Sequence, residues 1–157
     1  MKLNFNIVLN AMKKAEQHPK FQKKSEAVRS ISGVREVVLS NQISSEEDLI
    51  KIMDRGVLPV VLLTPEELLE NGTACGEVGN SCFDKDVVDY LKKSKVTEIF
   101  TVVEYDSLHS RKYILQGAVM DIAKSKSEKL SRLIDKNHGS WRADVDDERG
   151  WSSFESE

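Results

Sequence analysis

The densest group of chemically capable side chains in this sequence is Asp106-Ser107-Leu108-His109-Ser110-Arg111-Lys112. The segment follows a β-branched stretch and precedes residues with a helical apolar spacing. That is where α/β proteins hold anions, on the free amides of a helix N-terminus. Arg111 and Lys112 oppose a helix dipole at that place, so an external anion or a partner's carboxylate would compensate them. The plain alternative is that Asp106 or Ser107 caps the helix and the rest is solvated surface. Neither a glycine fingerprint nor a P-loop accompanies the segment.

Nucleophilic chemistry has less support. Ser107 and Ser110 lie too near His109 for a serine triad to be read from spacing, and no Gly-x-Ser-x-Gly elbow occurs. Cys75 or Cys82 can in principle meet His109 across the fold, but a cysteine and a histidine coexist in most chains. The two cysteines have six residues between them and none of His18, His109 and His138 nearby, a poor zinc spacing. Two cysteines in a chain of this size point to free thiols in a reducing compartment. Asp144, Asp146, Asp147 and Glu148 could hold a divalent cation, yet they lack the glycine and glutamate of a calcium loop, and an acidic turn is the commoner outcome. Trp141 and Trp151 flank that turn and are costly to leave in water. The segment with Trp141, Arg142, Asp144, Asp146, Asp147, Trp151 and Phe154 is therefore the expected protein contact, against a hairpin that merely covers the sheet. No catalytic residue, no metal ligand and no cofactor is assigned.

The positioning elements follow from periodicity. Phe5, Val8, Leu9 and Met12 recur at helical spacing, giving an amphipathic helix over residues 4–17 that ends at His18-Pro19. Residues 20–32 are basic and read as a short helix presenting Phe21, Val28 and Ile31. Val34 to Leu39 is a first strand. Ser44 and Glu47 form a capping box for a helix burying Leu49, Ile50 and Met53, which stops at Gly56. Val57 to Leu63 belongs to the one continuous apolar run in the chain and is a buried strand, with Pro59 placing it at an outer position or a bulge. Thr64-Pro65-Glu66-Glu67 opens a brief helix, residues 71–82 are a loop, and Asp84 to Lys93 is a second short helix. Val96 to Tyr105 is a third strand. Leu108, Leu115, Ala118 and Ile122 predict a long helix over residues 107–125, continued by Leu130, Leu133 and Ile134. Trp141 to Val145 and Trp151 to Phe154 read as a closing hairpin around residues 147–150. The expected fold is a single α+β domain over residues 1–157: a ferredoxin-like sheet of two β-α-β units with an N-terminal helix and a helical insertion at residues 64–95. A small doubly wound sheet is the alternative.

Composition limits the function classes. The chain has 157 residues, 39% apolar and 31% charged, enough for a substantial core. Its net charge of −3 gives no general attraction to nucleic acid or anionic lipid. Charge is uneven: residues 1–30 carry seven Lys/Arg against Glu16 and Glu26, and residues 141–157 carry six Asp/Glu against Arg142 and Arg149. A basic front and an acidic end allow head-to-tail self-association, although two solvated faces are the ordinary explanation. No signal peptide and no membrane span is expected.

The N-terminal helix, the Leu58-Pro59-Val60-Val61 strand, the strand-then-helix pair over residues 96–125 and the closing Gly150-Trp151-Ser152-Ser153 together resemble bacteriophage tail-terminator and tail-completion proteins. The resemblance is one of pattern, with a larger insertion and a shorter last strand than that family has. It implies a small α+β subunit of a homo-oligomeric ring, commonly a hexamer, that caps the tail tube and contacts neighbouring tail or neck proteins. It further implies a cytoplasmic protein that ends in the virion. It carries over no functional residues. A weaker similarity is to bacterial protein regulators of ribonuclease E, which implies a monomeric protein-binding inhibitor. A small α/β enzyme using residues 106–112 on a phosphorylated ligand is the third expectation.

Overall fold

The computed structural model describes residues 2–71, 83–134 and 141–145. Helix α1 (Phe5–Gln17) is capped by the Asn4 side chain, which accepts from the Ile7 amide, and buries Val8, Ala11, Met12 and Ala15. Helix α2 (Phe21–Ser32) follows and ends at Gly33, whose φ of 72° supplies the left-handed closing residue. Strand β1 (Glu36–Val38) leads to helix α3 (Glu46–Asp54). Its N-cap is Ser45, which accepts from the Asp48 amide, one residue beyond the expected Ser44. Strand β2 (Val57–Leu63) is followed by helices α4 (Pro65–Asn71) and α5 (Lys85–Lys93). Thr64 and Glu67 form the expected reciprocal cap of α4. Strands β3 (Ile99–Tyr105) and β4 (Tyr113–Asp121), helix α6 (Lys124–Leu133) and strand β5 (Trp141–Asp144) complete the described chain.

The fold is α+β, built on a mixed five-stranded sheet in chain order, β1-β2-β3-β4-β5. The outer pairs β1–β2 and β4–β5 are parallel, and β3 runs antiparallel to both of its neighbours. The first expected β-α-β unit is present as β1-α3-β2; the second, expected from strand 96–105 through a helix over 107–125, is replaced by β4-α6-β5, whose first strand occupies the expected helix. Each keeps its parallel strands adjacent, unlike the split units of a ferredoxin-like sheet. The helical insertion between β2 and β3 is present as α4 and α5.

Both sheet faces are covered. Residues 58–63 of β2 are all buried, and successive side chains of a strand point to opposite faces. One face meets α1 and α2: the His18 ring, just beyond α1, sits edge-on to Phe100, and Lys24 of α2 reaches Asp121. The other meets α3, where Tyr113 donates to Glu46 across 2.7 Å. One apolar cluster runs through both layers.

Two expectations are corrected. Residues 107–125 are not a long helix; they comprise a hairpin loop, β4 and the start of α6. The helical spacing arises from a bulge: Thr101 pairs with Ala118 but Val102 pairs with Gln116, so Gly117 is an extra residue, at φ 80°. One inserted residue, where the strand passes from alternating burial (residues 113–116) to burial on both faces (residues 117–120), turns an alternating pattern into one that mimics a helix. Pro59 is not on an outer strand, since β2 lies between β1 and β3. It sits at the junction of the two ladders: it is the last β2 residue paired with β1, opposite Val38, and the ladder to β3 begins one residue later, at Val60. No helix among the described residues is long and apolar enough to cross a membrane.

Candidate functional site

The segment Asp106–Lys112 is the loop of the β3–β4 hairpin. At its base Tyr105 and Tyr113 pack edge to face, 5.0 Å between ring centres, and the Asp106 amide donates to the Lys112 carbonyl. Above that base a single carboxylate organises the turn. Asp106 accepts from the amides of Leu108, His109 and Ser110 and from the Ser110 hydroxyl, and His109 Nδ1 lies 3.3 Å away. The His109 amide above all, joined by Ser110, overrides the opposing effect of desolvation and holds the Asp106 carboxyl down at about 2. Arg111 takes a left-handed φ of 52°, and its carbonyl accepts from the Tyr105 hydroxyl.

Helix α3 braces the hairpin from both ends. Glu46, in its first turn, takes the Tyr113 hydroxyl, and Asp54, its last residue, accepts from Ser107 at 3.3 Å. Burial first, and then the Glu46 carboxylate, push the Tyr113 hydroxyl well above the ordinary phenol range, so it stays a donor.

Without a helix at residues 107–125, the dipole argument for an anion at Asp106–Lys112 lapses. The loop amides that would greet an anion already donate to Asp106. What faces solvent is an 88% exposed Leu108 with His109, Arg111 and Lys112 around it. The hydroxyls of Ser107 and Ser110 donate to Asp54 and Asp106, not to His109. The arrangement is an apolar knob with basic shoulders on a pre-ordered turn, suited to contact with another macromolecule.

The other expected cluster is divided. Trp141, Arg142 and Asp144 lie on β5, while Asp146, Asp147, Trp151 and Phe154 fall outside the described residues, as do Cys75 and Cys82. Asp144 points to the α2 face, where Lys24 Nζ approaches it at 2.6 Å and Arg142 Nε at 2.8 Å. Lys24 also contacts Asp121, which Lys20 meets at 3.1 Å. Burial raises the Asp144 carboxyl, but the hydrogen bonds from Lys24 and Arg142 outweigh it and hold it below the ordinary range. Among the described residues no group of His, Cys, Asp and Glu could hold a metal ion.

Lys24, only 2% exposed, was not legible as part of any site. A signal for it exists: it stands three residues after Phe21 and four before Val28, on the apolar face of α2. A lysine there needs a buried partner. Its cluster lies at the end of β4 opposite the hairpin loop, roughly 27 Å away at the usual rise per residue, so the two groups form no single pocket. Comparison with family models, with curated proteins and with solved structures finds no match to this chain.

Proposed function

We propose that this protein is a non-catalytic assembly subunit, of the kind a phage tail-terminator ring contains, and that the β3–β4 hairpin is its principal contact. The observation that carries the reading is Leu108: a leucine 88% exposed at the tip of a turn already fixed by its own hydrogen bonds. Fixing a loop in advance lowers the entropy cost of binding, and an exposed large apolar side chain on a rigid mount is of use chiefly to a partner. Arg111 and Lys112 beside it suit an acidic surface, which a chain of net charge −3 with an acidic end provides on a second copy. The strands at the two ends of the sheet, β1 and β5, each have one neighbour among the described strands. Unlike edges on opposite sides fit head-to-tail contacts better than a two-fold dimer. Neighbouring tail or neck proteins are the further partners on this reading.

Sedimentation velocity of the wild type and of Leu108→Asp tests it. The wild type is expected to sediment as a closed oligomer, a hexamer on the ring reading, and the variant as a folded monomer with an unchanged circular dichroism spectrum. A wild type that stays monomeric at tens of micromolar removes the ring and moves the same hairpin to a foreign partner, as in a regulatory inhibitor. Identical oligomers for both proteins remove the hairpin from the contact.

A further inference from the structure

Four of the five strands, β1, β2, β4 and β5, run the same way, since β3 is antiparallel to both β2 and β4. Their carboxyl ends lie at the end of the sheet away from the hairpin loop. The crevice outside such carboxyl ends is where open α/β sheets hold ligands. A cleft of about 140 Å³ stands there, between the last residues of β4, Met120 and Asp121, and the turn from α5 into β3. It is well below the roughly 300 Å³ of a pocket for a drug-sized ligand, so it suits a small molecule or a single group. The buried Lys24 is part of its wall.

The carboxylates at this cleft are engaged. Asp121 meets Lys24 and Lys20, and Glu98 lies 3.2 Å from His18 Nε2. His18 Nδ1 accepts from the Lys20 amide at 3.0 Å, so the ring is the neutral tautomer with its proton on Nε2. The Lys95 ammonium and the Thr97 hydroxyl line the same cleft and have no partner among the described residues. Lys95 is also an unexpected residue for its place. The Val96 amide donates to the Leu91 carbonyl and the Lys95 amide to the Lys92 carbonyl, the two bonds that close a helix around a left-handed residue. Lys95 is that residue, at φ 63°, where glycine is the unstrained choice. Lys92 and Lys93 already bring positive charge to the end of α5, so closing the helix gives no reason for a third lysine in a strained conformation.

We propose that this cleft binds a small oxyanion, a carboxylate or a phosphate group, on the Lys95 ammonium and the Thr97 hydroxyl. The neighbouring carboxylates do not forbid it. Asp121 is neutralised by Lys24 and Lys20, and Glu98 is more than half exposed, so water and salt screen it. The site is independent of the assembly contact, because Leu108 stands beyond the other end of β4.

Two-dimensional NMR of the full chain tests the site. One arm titrates sodium phosphate and the other sodium acetate, each at an ionic strength held constant with chloride. Saturable shifts of the amides of residues 95–98 and 120–122, with a Kd of about 1 mM, are expected for at least one anion, and the anion that saturates names the group. In Lys95→Gly the same shifts should need roughly tenfold more anion, the effect of losing one charge-assisted contact. The melting temperature of that variant without anion should hold or rise, because glycine relieves the left-handed residue, so a fold defect cannot mimic the loss. Thr97→Val should weaken binding by a smaller factor. Shifts that fail to saturate by roughly 100 mM with both anions overturn the site. Equal affinity in Lys95→Gly overturns it too, by moving the anion to another cation. Loss of assembly in Leu108→Asp leaves these titrations unchanged, so the two readings fail separately.

Discussion

Replacing Lys24 with methionine is expected to lower the melting temperature by roughly 10 °C, the equivalent of about 3–5 kcal/mol for removing one side of a buried ion pair. Lys24 is 2% exposed, and its two partners, Asp121 and Asp144, occupy register-paired positions on adjacent parallel strands. Asp144 is 10% exposed and Asp121 36%, so water screens one partner and the loss should fall toward the lower end of that range. Without the ammonium, two carboxylates face one another across β4 and β5, and β5, four residues long at the sheet edge, is the element first released. The triple variant Lys24→Met, Asp121→Asn, Asp144→Asn should recover most of the loss, because neutral partners need no buried cation. A triple variant no more stable than the single one would mean that the lysine stem, not its charge, matters. Acid supplies a second check. The folded Asp144 carboxyl lies below its ordinary value, so its contribution is complete above the unfolded carboxyl's value of about 3.9 and drains as pH falls through the lower, folded one. The gap between wild type and Lys24→Met should therefore be full at neutral pH and narrow once the pH drops below about 4. A gap that persists undiminished in denaturant melts at pH 2–3 would sink the assignment.

The parts of the fold that sequence made visible are those where local chemistry and tertiary role agree. Phe5, Val8 and Met12 mark α1 because that helix has one buried face. Thr64 and Glu67 mark the start of α4 because the cap is made within four residues. Strand β2 is visible as an apolar run because it is buried on both faces. Strand β4 was hidden for two physical reasons: burial on both faces over residues 117–120 removed the alternation there, and the bulge at Gly117 supplied a false helical period. That one misreading also displaced the candidate site, since it turned a hairpin loop into a helix N-terminus. The residues themselves, Asp106 to Lys112, did come together, but around Asp106 as organiser. Lys24 escaped for a different reason. Its partners lie 97 and 120 residues away in sequence, and charge counting assigns a lysine to the surface unless its place on the apolar stripe is weighed first.

Phe83→Ala is the second large effect, with an expected loss of about 3–5 kcal/mol and a melting temperature lower by roughly 10 °C. Residues 71–82 read as a loop in the sequence, and Phe83, just beyond it, is fully buried. Its placement explains why. Asp84 is the N-cap of α5 and accepts from the Val87 amide, so Phe83 stands just before the cap and Val88, also buried, is the fourth residue of the helix. The ring belongs to the apolar cluster that also takes Val87 and Leu91 of α5, so it ties the entry of the helix to the core. Phe83 thus anchors the insertion where it rejoins the core, and α5 in turn supports α6 through the Tyr90 hydroxyl, which donates to the Lys126 carbonyl. Removing the ring leaves a cavity and loosens that entry, so protection of α5 amides should fall more than that of β3 amides in exchange experiments on the variant. Lys92→Ala is the matched control. It breaks the 2.9 Å pair with Glu66 that links α4 to α5, but both side chains are more than half exposed, so the melting temperature should barely move. A Phe83→Ala protein as stable as Lys92→Ala would show that the ring only fills space at the surface of the core and that the insertion is held by its polar contacts.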